Sequence, residues 1–267
     1  MNMNDQKICV IGCGNLGRSI VKGLLNNDTF NSGHVTATRR NTDLIADLAT
    51  EGAAITSDNC EAVRNSNIIL VAVKPYNVGK IINEIKSEII EGKHVLVSLA
   101  TGLTTEEISE MLDHKIPVFR AMPNIAANIS ESTTCICSKN ASQEETKNIK
   151  AVFDCVGESL IINEELMEAA TILGACGIAF VFRFIRAMIQ GGIQIGFDAN
   201  TAKQIVSQTV KGAAEMLQIN NDHPESEIDK VTTPKGCTIV GLNEMEHQGF
   251  SSALIKGIVT SFQKIEK

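Results

Sequence analysis

Positive charge is scarce in this chain: 24 Lys and Arg stand against 31 Asp and Glu, a formal net charge of −7 over 267 residues. Without a broad basic footprint, neither nucleic acid nor an anionic membrane is expected as the main partner, and any anionic ligand must be held locally. Cysteines lie at 9, 13, 60, 135, 137, 155, 176 and 237, too few and too far apart for a disulfide scaffold. A reduced cytosol fits them best. Cys135 and Cys137 share one face of a strand-like run, but no C-x-x-C with histidine partners is present, so no zinc site is expected. The start MNMNDQK passes into an apolar run too quickly to leave room for a signal peptide. Spanning a bilayer takes about 20 apolar residues. The charge-free stretch from Ala169 to Phe182 stops short of that, between Glu164, Glu165 and Glu168 on one side and Arg183 and Arg186 on the other, so a buried helix is expected there. Internal repeats, low-complexity tracts and Pro/Gly/Ser-rich linkers are absent.

The length suits one large domain or two modest ones. Lys7 to Ile11 (KICVI) reads as a strand and runs into GCGNLGRSIVKGLL, a glycine turn opening a helix with Leu16, Ile20 and Leu24 on one face. Strand-like runs recur at 34–38, 53–56, 68–73, 94–99 and 116–119, with helical patterns at 42–48 and 104–112. Apolar runs that do not alternate, set between helices, point to a parallel sheet covered on both faces. Closing strands are expected at 133–137 and 159–162 around a polar helix at 143–153. From Asn163 onward only helical patterns remain, at 164–190, 199–218, 239–247 and 251–264. Their apolar content exceeds one stripe, and roughly 100 residues give a thin core. Dimerisation through this region is the expected solution.

Gly12, Gly14 and Gly17 form G-x-G-x-x-G between a strand and a helix. The first glycine permits the turn, the second lets backbone approach a pyrophosphate, and the third lets helix and strand pack closely. At the end of the second strand, NAD enzymes place an acidic residue on the ribose hydroxyls. Here Thr38, Arg39 and Arg40 occupy that position, and guanidinium groups suit a 2′-phosphate. NADPH is therefore the expected cofactor, with NADH as the alternative carrier. The loops Val73-Lys74-Pro75 and Ser98 to Gly102 fall where parallel strands deliver ligands. Thr232 to Thr238 (TTPKGCT) precedes a helix whose free amides would suit a carboxylate. None of the five histidines sits beside a serine or cysteine elbow, so nucleophilic catalysis has no support. The fold class is thus α/β, with an N-terminal Rossmann-type dinucleotide-binding domain at 1–162 and a C-terminal all-helical dimerisation and substrate domain at 163–267.

The chain resembles the pyrroline-5-carboxylate reductase family over nearly its whole length. The similarity is carried by GCGNLG, AVKP at 72–75, SLATG at 98–102, FRAMPN at 119–124, EELMEAAT at 164–171, QTVKGAAEML at 208–217, HPESEIDKVTTPKGCTIVGL at 223–242 and GFSSALIKG at 249–257. The resemblance implies NADPH-dependent reduction of L-1-pyrroline-5-carboxylate to L-proline, and the cysteine usage places it in the cytoplasm. It places the cofactor against Gly12, Gly14, Asn15, Leu16, Gly17, Asn59, Ala72, Val73, Lys74, Pro75 and Ala100, with Met122, Pro123 and Asn124 near the nicotinamide. Substrate falls on Thr233, Gly236, Cys237 and Thr238, with its carboxylate on backbone amides and the Thr238 hydroxyl, the catalytic group, bonding the ring nitrogen. Family members are homodimers with interlocked C-terminal helices, often assembled into decamers, and act on a small imino acid.

Three departures from the family pattern stand out. MPNIAA, with Ile125 and Ala126, replaces M-P-N-T-P-A; Gly174 to Phe180 (GACGIAF) replaces S-G-S-G-P-A-Y; and Pro234-Lys235-Gly236 replaces P-G-G. They motivate one alternative, a related NADPH-dependent reductase of another cyclic imine or a 2-hydroxy or keto acid. A different class, a non-catalytic NADPH-binding regulator, would be marked by loss of Thr238 or of the 122–124 motif, and both are present.

Overall fold

The computed structural model describes residues 6–27 and 32–265. The reading that leaves no room for a signal peptide rests partly on residues 1–5, outside the described residues. Contacts divide the chain into two compact units. One runs to Cys176 and takes in the chain from Phe262, and the other is Gly177–Ser261.

The first unit is built on one eight-stranded sheet in the order β3-β2-β1-β4-β5-β6-β7-β8. Its strands are β1 (Ile8–Ile11), β2 (Val35–Thr38), β3 (Ala54–Thr56), β4 (Ile68–Val71), β5 (Val95–Ser98), β6 (Val118–Met122), β7 (Ser132–Lys139) and β8 (Gly157–Ile161). All four positions of β1 and of β4 are buried, as unalternating sequences require. Alternate residues feed two separate cores. Ile8, Val10, Ile68, Leu70 and Val97 pack under α1 (Asn15–Leu25), α2 (Ala46–Thr50) and α6 (Gln143–Asp154). Cys9, Ile11, Ile69, Val71 and Leu96 pack under α3 (Asn59–Arg64), α4 (Pro75–Ile85) and α5 (Thr105–Glu110).

Strands β1 to β6 pair parallel with their neighbours, whereas β7 runs antiparallel to β6. The link between β6 and β7 is short and holds only a 3-10 turn, Ile125–Ile129. A parallel return needs a crossover of a dozen or more residues, so the chain turns back. Strand β8 then follows α6 and pairs parallel with β7. Serine and threonine caps set the flanking helices: Thr104 with Glu107 before α5, and Ser142 with Glu145 before α6, each form a reciprocal capping box.

One buried charge sits within this sheet, in the middle of β6. Arg120 on β6 is 2 % exposed and pairs with Glu164 at 3.2 Å and Glu168 at 2.6 Å. Glu164 also accepts from the Thr105 amide at 2.7 Å and the Thr105 hydroxyl at 2.6 Å. Partial burial would raise the Glu164 carboxyl pKa, but the Thr105 hydrogen bonds and the Arg120 guanidinium together hold it below the usual carboxylate value. Beyond Glu168, α7 (Met167–Ala170) widens into a π-helical turn, Thr171–Cys176.

The second unit holds α8 (Gly177–Gln194), α9 (Ala199–Asn220), α10 (Pro224–Lys230) and α11 (Cys237–His247), and α12 (Phe250–Ile265) begins in it. Asp198 caps α9 through the amides of Asn200 and Thr201. Gly192 of α8 lies against Ala202 of α9. The expectation of a buried helix at 169–182 is corrected here. Thr171 and Ile172 are buried, but α8 has no buried residue. The stretch Glu164–Gln194 contains a window of mean hydropathy 1.9 that is only 11 % buried. Within one chain the thin helical unit leaves Phe182, Ile193, Ile195 and Phe197 exposed.

Replacing Arg120 with Met strands two carboxylates without their cation. Removing one partner of a buried pair costs about 3 to 5 kcal/mol, and urea unfolding should show a loss in that range. The Glu164 contribution is present above its unfolded pKa of roughly 4.3 and is lost as pH falls through the lower folded value. Acidification below about pH 4.3 should therefore narrow the gap between wild type and Arg120→Met. A loss under about 1 kcal/mol, or a pH-independent gap, would contradict this account.

Candidate active site

Beyond the C-terminal ends of β1, β2, β4 and β5 lies a cleft of about 1120 Å³. Open parallel sheets bind ligands at this edge, where the strand order reverses beside β1. The turn after β1 shapes it. Gly12 has φ +89°, and a Cβ there would meet Val73 Cγ1 at 2.4 Å. The amides of Gly12 and Cys13 both donate to the Thr38 carbonyl, at 3.2 and 2.9 Å. A Cβ on Gly17 would meet the Gly12 carbonyl oxygen at 3.0 Å and Ala72 Cβ at 3.2 Å, so this glycine serves helix–strand packing and does not line the cleft. Gly14 differs, because no atom lies within 4 Å of where its Cβ would be. It is the N-cap of α1 and offers no side-chain cap, and no acidic residue occupies the first turn. The helix start thus keeps its amides for an anionic group.

Charge lining the cleft reverses the balance of the whole chain. Arg39, Arg40, Lys74 and Lys80 line it, against Glu84 alone among acidic residues. Half-buried Arg39 donates to the Cys13 carbonyl at 2.9 Å, which ties its guanidinium to the glycine turn. The Thr38 hydroxyl donates to Asn59 Oδ1 at 2.6 Å. Asn15, Leu16, Ala72, Val73, Pro75 and Ala100 complete the residues that the sequence singles out and the structure brings together. Cys13 is no nucleophile: burial pushes its thiol up to about 12, and its Sγ donates to the Val10 carbonyl at 3.5 Å.

Sequence reasoning missed Asn77, Lys80, Ile81 and Glu84, which reach the cleft from α4. Their spacing was the available signal, since 77, 80, 81 and 84 share one helix face once Pro75 is taken as a helix start.

Met122, Pro123 and Asn124 are buried and do not line the cleft, although Ile125 directly after them does. Asn124 holds two segments together. Its Oδ1 accepts from the Ala126 amide at 2.9 Å, and its Nδ2 donates to the Gly174 carbonyl in the π-helical turn at 3.2 Å. In the second unit, Gly236 is the N-cap of α11 without a side-chain cap, with Cys237 and Thr238 as the first helical residues. Thr233, Cys237 and Thr238 are exposed, and the Gly236 amide donates to the Thr233 carbonyl at 2.9 Å. Thr238 therefore does not occupy the cap position. Lys235 adopts φ +62°, a left-handed conformation that glycine takes more readily.

The sheet order, the glycine turn and the cationic cleft define a Rossmann-type dinucleotide-binding unit, the cofactor half of an NAD(P)H-dependent oxidoreductase. Two family models match the chain: pyrroline-5-carboxylate reductase dimerisation over residues 164–267, and NADP oxidoreductase, coenzyme F420-dependent, over residues 7–102. Pyrroline-5-carboxylate reductase 1 of Dictyostelium discoideum is 45 % identical over 99 % of this chain, which spans 50 % of that relative's length. Pyrroline-5-carboxylate reductase 2 of the same organism is 42 % identical over 99 % of this chain and 93 % of its own. Among solved structures, Plasmodium falciparum pyrroline carboxylate reductase with NADP bound has a TM-score of 0.88 and 27 % identity, with 98 % of each chain covered. The chain belongs to the pyrroline-5-carboxylate reductase family.

The two turn glycines should separate binding from folding. Gly14→Ala places a methyl in open space at an ordinary φ, so the melting temperature should hold within about 2 °C while NADPH affinity falls steeply. Gly12→Ala meets both a clash and a positive φ, so its melting temperature should drop. Calorimetry and NADPH titration on both variants check this; equal melting losses would refute the distinction.

Proposed function

We propose that this chain reduces the C=N bond of L-1-pyrroline-5-carboxylate with NADPH, giving L-proline. The observation that carries the reading is the cationic, glycine-turned cleft in a chain 42 % identical to a pyrroline-5-carboxylate reductase over nearly the full length of both. Bound NADPH supplies the hydride. Residues 1–162 are assigned to cofactor binding and 163–267 to dimerisation and substrate.

The chain's own residues orient and select. Amides at the start of α1 and of the loop at Lys74 suit the pyrophosphate, and Arg39 and Arg40 suit a 2′-phosphate, which favours NADPH over NADH. Met122, Pro123 and Asn124 support the nicotinamide end from behind the Ile125 wall. In the second unit, the open amides of Cys237 and Thr238 suit the substrate carboxylate, while Gly236, whose own amide bonds the Thr233 carbonyl, and Thr233 shape the loop that presents them. The Thr238 hydroxyl keeps the imine nitrogen polarised or protonated, as hydride acceptance requires. Alignment of reactants alone can supply about 7 to 11 kcal/mol of the barrier.

Eight free thiols support a reducing, cytoplasmic setting. The exposed apolar side chains of α8, together with the match to a dimerisation family, support a homodimer as the working unit, with the decamer that the family resemblance implies as a further proposed assembly. A specific observation favours a second reading, reduction of another cyclic imine or keto acid: Ile125, one of the departures from the family pattern, lines the cleft.

The deciding assay follows NADPH and NADH oxidation with pyrroline-5-carboxylate, its six-membered homologue and acyclic keto acids. The five-membered imine with NADPH should give the highest kcat/KM. Preference for another substrate would transfer the assignment to the second reading, and no turnover with any would leave a non-catalytic NADPH-binding regulator. Thr238→Ala should cut turnover roughly 10- to 200-fold, the worth of one hydrogen bond to a charged group, while Thr238→Ser retains much of the rate. Full turnover in the Ala variant would remove Thr238 from the mechanism.

Dimerisation has its own test. Phe182→Glu puts a charge on a face that is already exposed within one chain, so the fold should persist while sedimentation shows monomer. An unchanged sedimentation coefficient would exclude this face from the interface.

A further inference from the structure

A side-chain relay crosses the cofactor cleft from its β2 edge to α4. The Thr38 hydroxyl reaches Asn59 Oδ1 at 2.6 Å, and Asn59 Nδ2 reaches Glu84 Oε1 at 3.0 Å. All three residues line the cleft. Its orientation follows from chemistry. An ionised carboxylate only accepts, so the amide must turn its NH2 toward Glu84 and its oxygen toward the Thr38 hydroxyl. A relay without Glu84 would lose that information, because a hydroxyl can donate or accept and would tolerate either amide orientation.

The backbone of Glu84 is anchored as well. The Cys60 Sγ donates to the Glu84 carbonyl at 3.2 Å, joining the end of α4 to the start of α3. The carboxylate thus comes from a fixed helix end. The end of β2, where a conventional dinucleotide site places an acidic group, supplies Arg39 and Arg40 instead, and Glu84 reaches that edge only through Asn59.

We propose that Glu84 is a positioning residue for cofactor binding: by accepting one Asn59 N–H it locks the amide so that the second N–H holds an oxygen of the adenosine ribose. This rests on the cleft being the NADPH site. Working through Asn59 keeps the negative charge one side chain back from a 2′-phosphate, where direct contact would repel it. The carboxylate fixes geometry, while Arg39, Arg40, Lys74 and Lys80 around the cleft supply attraction.

Titration of purified protein with NADPH, followed by cofactor fluorescence, tests the role without relying on turnover. Glu84→Ala should raise Kd roughly threefold to tenfold, the worth of one hydrogen bond. Glu84→Gln retains a carbonyl acceptor and should restore binding to within about twofold of wild type, since the bond survives the loss of charge. The double variant Asn59→Ala with Glu84→Ala should bind no more weakly than Asn59→Ala alone, because Glu84 acts only through Asn59. Wild-type affinity in Glu84→Ala, equal weakening by Ala and Gln, or additive losses in the double variant would each overturn the proposal. General loosening of α4 is covered by the last outcome, as it would weaken the Asn59→Ala background too. Failure of the wild type itself to bind NADPH would overturn the cofactor reading, a result distinct from these.

Discussion

One backbone reversal governs the cofactor end of this molecule. Leaving β1, the chain must turn at Gly12 with φ +89° and pass Val73 at a distance that excludes any side chain. The same turn delivers two amides to the Thr38 carbonyl, so the end of β2 is joined to it. From there the consequences spread in two directions. The start of α1 is set with its amides open, and Gly17 brings that helix down onto the sheet. On the other side Thr38 holds Asn59, and Arg39 reaches back to Cys13. A locally cationic site in an acidic chain is assembled around one residue that has no side chain.

A second constraint acts where the chain leaves the sheet. Arg120 is almost wholly buried, and a buried guanidinium without carboxylates would be strongly unfavourable. Its partners, Glu164 and Glu168, lie in the segment entering the π-helical turn, and Glu164 is gripped in addition by Thr105 from α5. Such a cluster contributes little net stability over an apolar alternative. It does tie the exit of the chain to β6 and to α5, because Glu164 and Glu168 both meet Arg120 and Glu164 also meets Thr105.

What could be read in advance follows from which forces act locally. The central strands were legible because a strand buried on both faces must be apolar throughout, and Ile68 to Val71 carry no competing pattern. The glycine turn was legible because backbone chemistry does the binding and only glycine permits the shape. Helix α4 was not marked, since Pro75 reads equally as a loop residue, and the cleft residues Lys80 and Glu84 went with it. The antiparallel sense of β7 is written in the length of the link before it rather than in its own residues. The π-helical turn at Thr171–Cys176 is invisible to a 3.6-residue period because one widened turn barely displaces the apolar positions. Apolar content at 169–182 reports that a surface needs covering but not which chain covers it, so the expected burial is missing from a single copy.

The departures from the family pattern are fewer in physical terms than in sequence terms. Ile125 and Ala126 lie far along the chain from Gly174, yet Asn124 bonds the Ala126 amide with one end of its side chain and the Gly174 carbonyl with the other. The carbonyl at 174 lies in the π-helical turn, whose widened geometry leaves acceptors outside the regular helical ladder. A hydroxyl-bearing residue at 174 would bring a second polar group to a contact that the backbone alone now makes. The changes at 125–126 and at 174 are therefore one local arrangement, organised by a buried amide behind the Ile125 wall of the cleft. Lys235 stands apart. It holds a left-handed backbone in the turn before α11, where a non-glycine residue costs about 1 to 2 kcal/mol. The turn keeps its shape in spite of that residue, because the Gly236 amide still reaches the Thr233 carbonyl and Gly236 still opens the helix uncapped. The turn before α11 is thus held by backbone groups and the 125–174 arrangement by the Asn124 side chain gripping backbone groups, so at both places the residues that depart from the family pattern are not the ones that hold the conformation.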